Sequence, residues 1–270
     1  MERNPSVIHI LGSRVDLVTL PQVVARMGNW IDHPDGRCHR ITVTGFHGLW
    51  RAYKDAHVRT VLNSADLWVP DGIAPVWIAR LKGIPGVQRL PGVELMEGFL
   101  ELAQEKGYRS FFYGDTEKTL LGMKAKVESR YPNHKVAGMF SPPYRPATAD
   151  EERQIVQMIN AAKPDVLWVA LGLPKQDLWI FEHQDMLTVP IAIGVGAAFG
   201  FLAGTVKRVP KPVGDAGFEW AWRFVMEPRK LWRRGLLEAP QFVFHVALEL
   251  AGLKRCVYDT RRADSEAGSD

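Results

Sequence analysis

The sequence predicts an α/β protein built on a doubly wound, mostly parallel sheet and ending in a helical C-terminal appendage. Three observations carry that expectation. Up to Gly204, short apolar, β-branched or aromatic runs alternate with amphipathic stretches, the pattern of repeated β and α units. The chain has 270 residues, 46% of them hydrophobic, enough apolar surface for one large domain with an appendage. After Gly204 strand-like runs stop, and helix-like stretches rich in Trp and Arg take their place.

In chain order, strands are expected at Val7–Leu11, Arg40–Val43, Leu67–Val69, Ser110–Tyr113, Lys135–Gly138, Val166–Ala170 and Ile191–Val195. Between them, helical periodicity marks Leu20–Ile31, His47–Ser64 with a break near Ala56, Gly72–Leu81, Gly92–Lys106, Glu117–Arg130, Asp150–Ala162 and Lys175–Gln184. Thr148 and Asp150 are candidate N-caps, and Gly83 and Gly107 candidate C-terminal stops. Ser141–Pro146 reads as a rigid surface loop. A parallel sheet of this kind places its ligands at the carboxyl ends of its strands. Lys207–Pro212, with two prolines among three bases, reads as a linker. Helices are then expected at Phe218–Met226, Pro228–Gly235 and Pro240–Leu253, with Pro228 and Pro240 suited to a first helical turn. The expected division is a catalytic core over residues 1–206, a basic appendage over 207–255 and a polar, disordered tail over 256–270.

Charge placement says more than the net charge of +4. Lys207 to Arg255 holds ten Lys and Arg against five Asp and Glu, whereas the rest of the chain carries 24 bases and 25 acids. The positive excess therefore belongs to the appendage and favours a phosphate-bearing partner. Cys38 and Cys256 lie far apart and outside any CxxC or Cys/His cluster, which speaks against zinc or a disulfide framework and for a reducing cytoplasm. No signal peptide opens the sequence, and no apolar run approaches the roughly 20 residues that span a bilayer.

Five groups of residues could carry chemistry. Thr44-Gly45-Phe46-His47-Gly48 and Val69-Pro70-Asp71-Gly72 each follow a strand and enter a helix. On spacing alone, Asp71 reads first as the cap of the helix after it, and Thr44 and His47 as a cap and a satisfied loop histidine. Gly172-Leu173-Pro174-Lys175-Gln176 is either an ordinary βα turn or a turn whose backbone and Gln176 meet a phosphate or sugar. Gly194-Val195-Gly196-Ala197-Ala198-Phe199-Gly200 approximates a dinucleotide fingerprint, but its last spacing is one residue too long, it comes late in the chain, and no acid stands on a following strand to take a ribose. The fifth group runs from Trp220-Ala221-Trp222-Arg223 to Arg229-Lys230-Leu231-Trp232-Arg233-Arg234, where Arg forks could neutralise a diphosphate or an amphipathic face could lie on a membrane. No Asp-x-Asp pair is present to hold a nucleotide-sugar metal, and there is no Walker loop, GxSxG or HExxH.

Taken together, these groups resemble the WecG/TagA/CpsF glycosyltransferases, glycosyltransferase family 26. The likeness runs from about Ile8 to Leu253 over six ordered motifs: Ala65 to Gly72, Arg89 to Met96, Ala161 to Asp165, Gly172 to Gln176, Ile193 to Phe199 and Glu227 to Arg234. It implies a Rossmann-like core and an appendage that closes over a nucleotide. It also implies a metal-independent, cofactor-free, inverting transfer from a UDP-sugar, often of the N-acetylmannosamine type. The implied acceptor is a polyprenyl-diphosphate-linked saccharide at the cytoplasmic membrane surface, with no nucleic-acid partner and a homo-oligomer left open. Carried over by position, the resemblance makes Asp71 the catalytic base with Thr44 beside it, and puts Arg89 and Gln176 in the pocket; the Gly172, Gly194 and Gly196 turns are candidates for the same ligand from their place after strands. Arg223, Lys230 and Arg233, with Arg229 adjoining, become the cations that meet the diphosphate. Two motifs depart. Many members have Thr-x-Asn-x-Glu where this chain has Thr44 to Gly48, and Phe-Asp-Phe where it has Phe199-Gly200-Phe201.

Within that reading, His47 is an alternative base, because an unperturbed imidazole titrates near neutrality. Two readings of other classes compete with it. One is a nicotinamide-dependent oxidoreductase using Gly194–Gly200. The other is a non-enzymatic membrane- or nucleic-acid-binding module built on the basic segment, which leaves the Pro-Asp-Gly and Pro-Lys-Gln turns without a role.

Overall fold

The computed structural model describes residues 7–206, 232–254 and 256, apart from the side chains of Arg233 and Arg234. It is an α/β fold of the doubly wound, Rossmann-like kind. Its strands are β1 (Val7–Ile10), β2 (Ser13–Asp16), β3 (His39–Thr44), β4 (Leu67–Pro70), β5 (Arg109–Gly114), β6 (Lys135–Phe140), β7 (Val166–Ala170) and β8 (Ile191–Gly194). Six of them form one sheet in the order β4-β3-β8-β7-β5-β6, parallel at every pairing from β3 to β6. β3, β7 and β8 are buried along their whole length, which is why β7 and β8 read as continuous apolar runs rather than alternating ones. β6 ends the order and is correspondingly half-exposed.

The helices are α1 (Leu20–Asp32), α2 (Phe46–Lys54), α3 (Ala56–Asn63), α4 (Ile73–Leu81), α5 (Gly92–Lys106), α6 (Glu117–Arg130), α7 (Ala149–Ala162), α8 (Lys175–His183), α9 (Ala198–Ala203) and α10 (Ala239–Leu250). The expected break near Ala56 is present. Asp55 takes an extended backbone and its carboxylate accepts from the amides of His57 and Val58, ending α2 and capping α3. Thr148 caps α7 in a capping box with Glu151, so Asp150 falls inside the first turn. Gly107 ends α5 in the left-handed region, as expected of a C-terminal glycine.

Three elements differ from the sequence expectation. The first strand stops at Ile10, because Leu11 and Gly12 form a two-residue hairpin turn that pairs β1 with β2 antiparallel, outside the large sheet. Both turn residues have positive φ (49° and 83°), the requirement of the primed turns that match strand twist. A leucine there is costly, and it is retained by full burial and by a hydrogen bond from its amide to Glu249 Oε2 at 2.9 Å. The helix expected from Gly72 begins at Ile73. The Gly-rich stretch Gly194–Gly200 contains the start of α9. The expected helix at Phe218–Met226 and the first half of that at Pro228–Gly235 lie outside the described residues, whereas the expected Pro240–Leu253 helix is α10.

The chain divides into two compact units, residues 1–17, 44–89 and 209–270 in one and 18–43 and 90–208 in the other. The first has a core of Ile8, Ile10, Leu49, Trp50, Leu62, Trp68 and Val76, completed by Phe242 and Val246 of α10. The second packs Phe111, Tyr113, Leu167, Val169, Trp179 and Ile180 around β5 and β7.

Candidate active site

In the first unit, two strand-to-helix turns are pinned to each other. Thr44 is the last residue of β3 and is buried, and its carbonyl accepts the Asp71 amide at 3.2 Å. The glycines beside it are required by close approach. A Cβ at Gly45 would fall on the Asp71 carbonyl oxygen, and one at Gly48 would fall on the Thr44 side chain. Asp71 itself is half-buried and immediately follows β4. Its reading as a helix cap is overturned: Gly72 (φ 81°, ψ 177°) is the N-cap of α4, and no side chain caps that helix. The carboxylate is therefore not committed to the helix it precedes.

His47 stands in the first turn of α2, with Nδ1 3.2 Å from Glu238 Oε2. Glu238 closes a short π-helical turn, Arg233–Glu238, that leads into α10. This partner was not legible in the sequence, where Glu238 belongs to no motif. Arg89 is half-buried in the stretch between α4 and α5.

In the second unit, the Pro-Lys-Gln turn also begins with a glycine in the left-handed region (Gly172, φ 81°), whose carbonyl accepts the Gln176 amide at 3.0 Å. The Gln176 side chain is 2% exposed and lies along the end of β8. A Cβ at Gly194 would come within 2.7 Å of Gln176 Nε2, so a side chain there would displace the Gln176 amide; at Gly196 (φ 51°) the nearest atom is Gln176 Oε1 at 3.4 Å. Among the described residues Gln176 Oε1 is buried without a hydrogen-bond partner.

Asp177, which the sequence reading passed over, is the other polar group here. It is 3% exposed, Thr42 Oγ1 donates to its Oδ1 at 2.9 Å, and its Oδ2 is buried without a partner. Burial pushes its carboxyl up to about 7, against the opposing pull of the Thr42 hydroxyl, the Arg40 charge and the Gln176 amide. Arg40 is itself buried, its guanidinium 5.0 Å from the centre of the Phe181 ring. An acid in a first helical turn ordinarily reads as a solvated, dipole-favoured residue. The signal against that was Ile180, three residues on along the same helical face and also buried.

The Gly200 departure has a local explanation. A Cβ there would lie 2.8 Å from Val206 Cγ2, and the Gly200 carbonyl accepts from Val206 N at 3.1 Å and Thr205 Oγ1 at 3.2 Å. The fold-back after α9 occupies the room of a side chain. Thr44, His47, Asp71 and Arg89 thus belong to the first unit, and Gly172, Gln176, Gly194 and Gly196 to the second. Arg223, Arg229, Lys230 and the Arg233 side chain lie outside the described residues.

Known proteins supply the class of chemistry. The model of the glycosyl transferase WecG/TagA/CpsF family matches residues 8–256. The chain is similar to an N-acetylglucosaminyldiphosphoundecaprenol N-acetyl-beta-D-mannosaminyltransferase of Bacillus spizizenii, 31% identical over 72% of this chain and 73% of that protein. It is similar to the Bacillus subtilis protein of the same name, 31% identical over 73% and 75% of the two chains. A Staphylococcus aureus protein of that name is 26% identical over 93% of this chain and 96% of its own. These likenesses take the place of the oxidoreductase reading of Gly194–Gly200. The strand-end turns, the pinned Thr44–Asp71 pair and the near-complete match lead to one conclusion: the chain belongs to the glycosyl transferase WecG/TagA/CpsF family and is a glycosyltransferase.

Proposed function

We propose that this glycosyltransferase moves a sugar from a UDP-sugar to a polyprenyl-diphosphate-linked saccharide, with inversion and without a metal, in bacterial cell-surface polysaccharide synthesis. The observation that carries the reading is the state of Asp71, a half-buried carboxylate at a strand end, backbone-bonded to Thr44 and not used as a helix cap. An acceptor hydroxyl attacking the anomeric carbon must lose its proton as the bond forms. A carboxylate in reach of it contributes roughly 10²–10⁴ in rate. Thr44 and His47 position the sugar or the acceptor, and Arg89 and Gln176 hold the donor. Arg223, Lys230 and Arg233, with Arg229, neutralise the departing diphosphate in place of a metal. The names of the relatives support a lipid-diphosphate sugar as acceptor and an N-acetylmannosamine-type sugar as the group moved.

Work at the inner membrane surface follows from such an acceptor. No helix among the described residues is long and apolar enough to cross a membrane. Leu236, Leu237, Val243 and Phe244 are nonetheless exposed in the π-helical turn and α10, the kind of apolar face that lies on lipid. Asp71→Asn is expected to keep UDP affinity within about twofold and to lower turnover by roughly 10² or more. The assay pairs calorimetric titration of UDP with turnover of a UDP-sugar panel on a polyprenyl-diphosphate-sugar, with and without EDTA. Near-normal turnover in the variant removes Asp71 from the mechanism, and strong inhibition by EDTA removes the metal-free route.

A further inference from the structure

The turn that leads into α10 delivers an acid to the first turn of α2. Phe242 stands four residues after Glu238 and so shares its face of the segment. Phe242 packs on Phe46 with ring centroids 5.8 Å apart, and Glu238 reaches the next residue, His47, with Oε2 3.2 Å from Nδ1. The other side of that turn is fixed by Thr44, whose side chain fills the space of a Cβ at Gly48. Both atoms of the His47–Glu238 contact are buried, whereas the His47 side chain as a whole keeps 18% of its surface exposed. The exposure therefore belongs to the rest of the side chain and not to Nδ1. Glu238 Oε2 has no hydrogen-bond donor among the described residues. A bare imidazole nitrogen at 3.2 Å would set lone pair against lone pair, so the contact calls for a proton between the two atoms. By ordinary basicity an imidazole takes that proton ahead of a carboxylate. With the proton on Nδ1, a neutral ring keeps its lone pair on Nε2, the form that accepts a hydrogen bond there.

We propose that Glu238 is the positioning residue of His47: it keeps Nδ1 protonated, so that the neutral imidazole accepts at Nε2 a hydrogen bond from a hydroxyl of the transferred sugar or of the lipid-linked acceptor. This rests on the reading that His47 positions one of those substrates, and it adds the tautomer used and the residue that sets it. The π-helical turn that ends in Glu238 opens with Arg233. The segment that meets the diphosphate in the proposed mechanism thus also orients His47, and removing Glu238 releases the ring to either tautomer.

The test uses the full chain and the variants Glu238→Ala, Glu238→Gln, His47→Ala and the double alanine, with thermal unfolding as the control for folding. Glu238→Gln keeps an oxygen acceptor opposite Nδ1 and serves as the conservative rescue. Nitrogen-15 NMR of the imidazoles at pH 9, with His47 assigned by the signal missing from His47→Ala, reads the tautomer directly. Wild type and Glu238→Gln are expected to show Nδ1 protonated and Nε2 bare, and Glu238→Ala to show a mixed or reversed tautomer. Turnover is measured with a UDP-sugar panel on a polyprenyl-diphosphate-sugar. Glu238→Ala is expected to lower kcat/KM about tenfold and Glu238→Gln no more than about threefold, the scale of one hydrogen bond. The double variant should fall within about twofold of His47→Ala, because residues acting through one contact are not additive. A rise in KM for the UDP-sugar places the hydroxyl on the donor, and a rise in KM for the lipid-linked saccharide places it on the acceptor. If His47→Ala turns over normally, or the wild type turns over nothing, the underlying reading fails and the proposal goes with it. If His47→Ala is impaired but the tautomer is unchanged in Glu238→Ala, or the two losses add, the positioning role alone is overturned. A wild-type ring protonated at Nε2 overturns it as well.

Discussion

At the scale of single residues, the environments of Asp71 and Asp177 decide what each carboxyl can do. Asp71 sits one position too early to cap α4, where Gly72 is the N-cap and no side chain closes the helix. Gly45 is fixed by the Asp71 carbonyl and Gly48 by the Thr44 side chain, each of which a Cβ would strike. Asp177 was invisible because its surroundings come from Thr42 and Arg40, far away in sequence. Its folded-state value, about 7 against an ordinary 3.8, has a direct consequence for stability. For a carboxyl raised in the folded state, the contribution is fully present below the unfolded value and is lost as pH climbs through the folded one. Asp177→Asn is therefore expected to be more stable than wild type at pH 8, on the order of 2 kcal/mol, with the difference fading toward pH 4. Urea midpoints of both proteins at pH 4, 6 and 8 check it, and a gain that persists at pH 4 would contradict the assigned cause.

At the scale of elements, helices with clear periodicity and a cap were legible to within a residue or two, as α5, α6 and α7 show. The hairpin was not. A primed turn usually announces itself with Asn-Gly or Asp-Gly, whereas here Leu11-Gly12 is held in that shape by contacts from α10. The same helix packs Phe242 on Phe46 at 5.8 Å and stacks His245 on Trp50 at 5.8 Å. Lys254 beyond it bonds to the Tyr53 hydroxyl. Glu249 is thus a link between α10 and the hairpin. Glu249→Gln keeps the shape and removes the charge from that bond, with an expected loss of about 1–2 kcal/mol. Hydrogen exchange is the measurement: the Leu11 amide and α10 should exchange faster while α6 is unchanged. Uniform acceleration across both would show that the link is not local.

For the whole molecule, α10 is part of the core of the first unit rather than a cover added to a finished domain. Phe242 and Val246 are 4% and 6% exposed in the cluster that also holds Trp50 and Trp68. Burial of two such side chains is worth roughly 3–6 kcal/mol. Deleting residues from Trp232 onward should then lower the melting temperature by on the order of 10 °C, and activity lost with that segment must be read beside the melting curve. A truncated protein that melts like the full chain would place α10 outside the core. The sequence by itself determined the α/β class, the alternation of elements, the turns that follow β3, β4, β7 and β8, and the family, because periodicity, glycine turns and ordered motifs are local properties of a chain. Tertiary structure decided the strand order, the pairing of β1 with β2, the release of Asp71 from capping, the Glu238 partner of His47 and the burial of Asp177. Each of these depends on which distant segments come into contact, and on the water they exclude when they do.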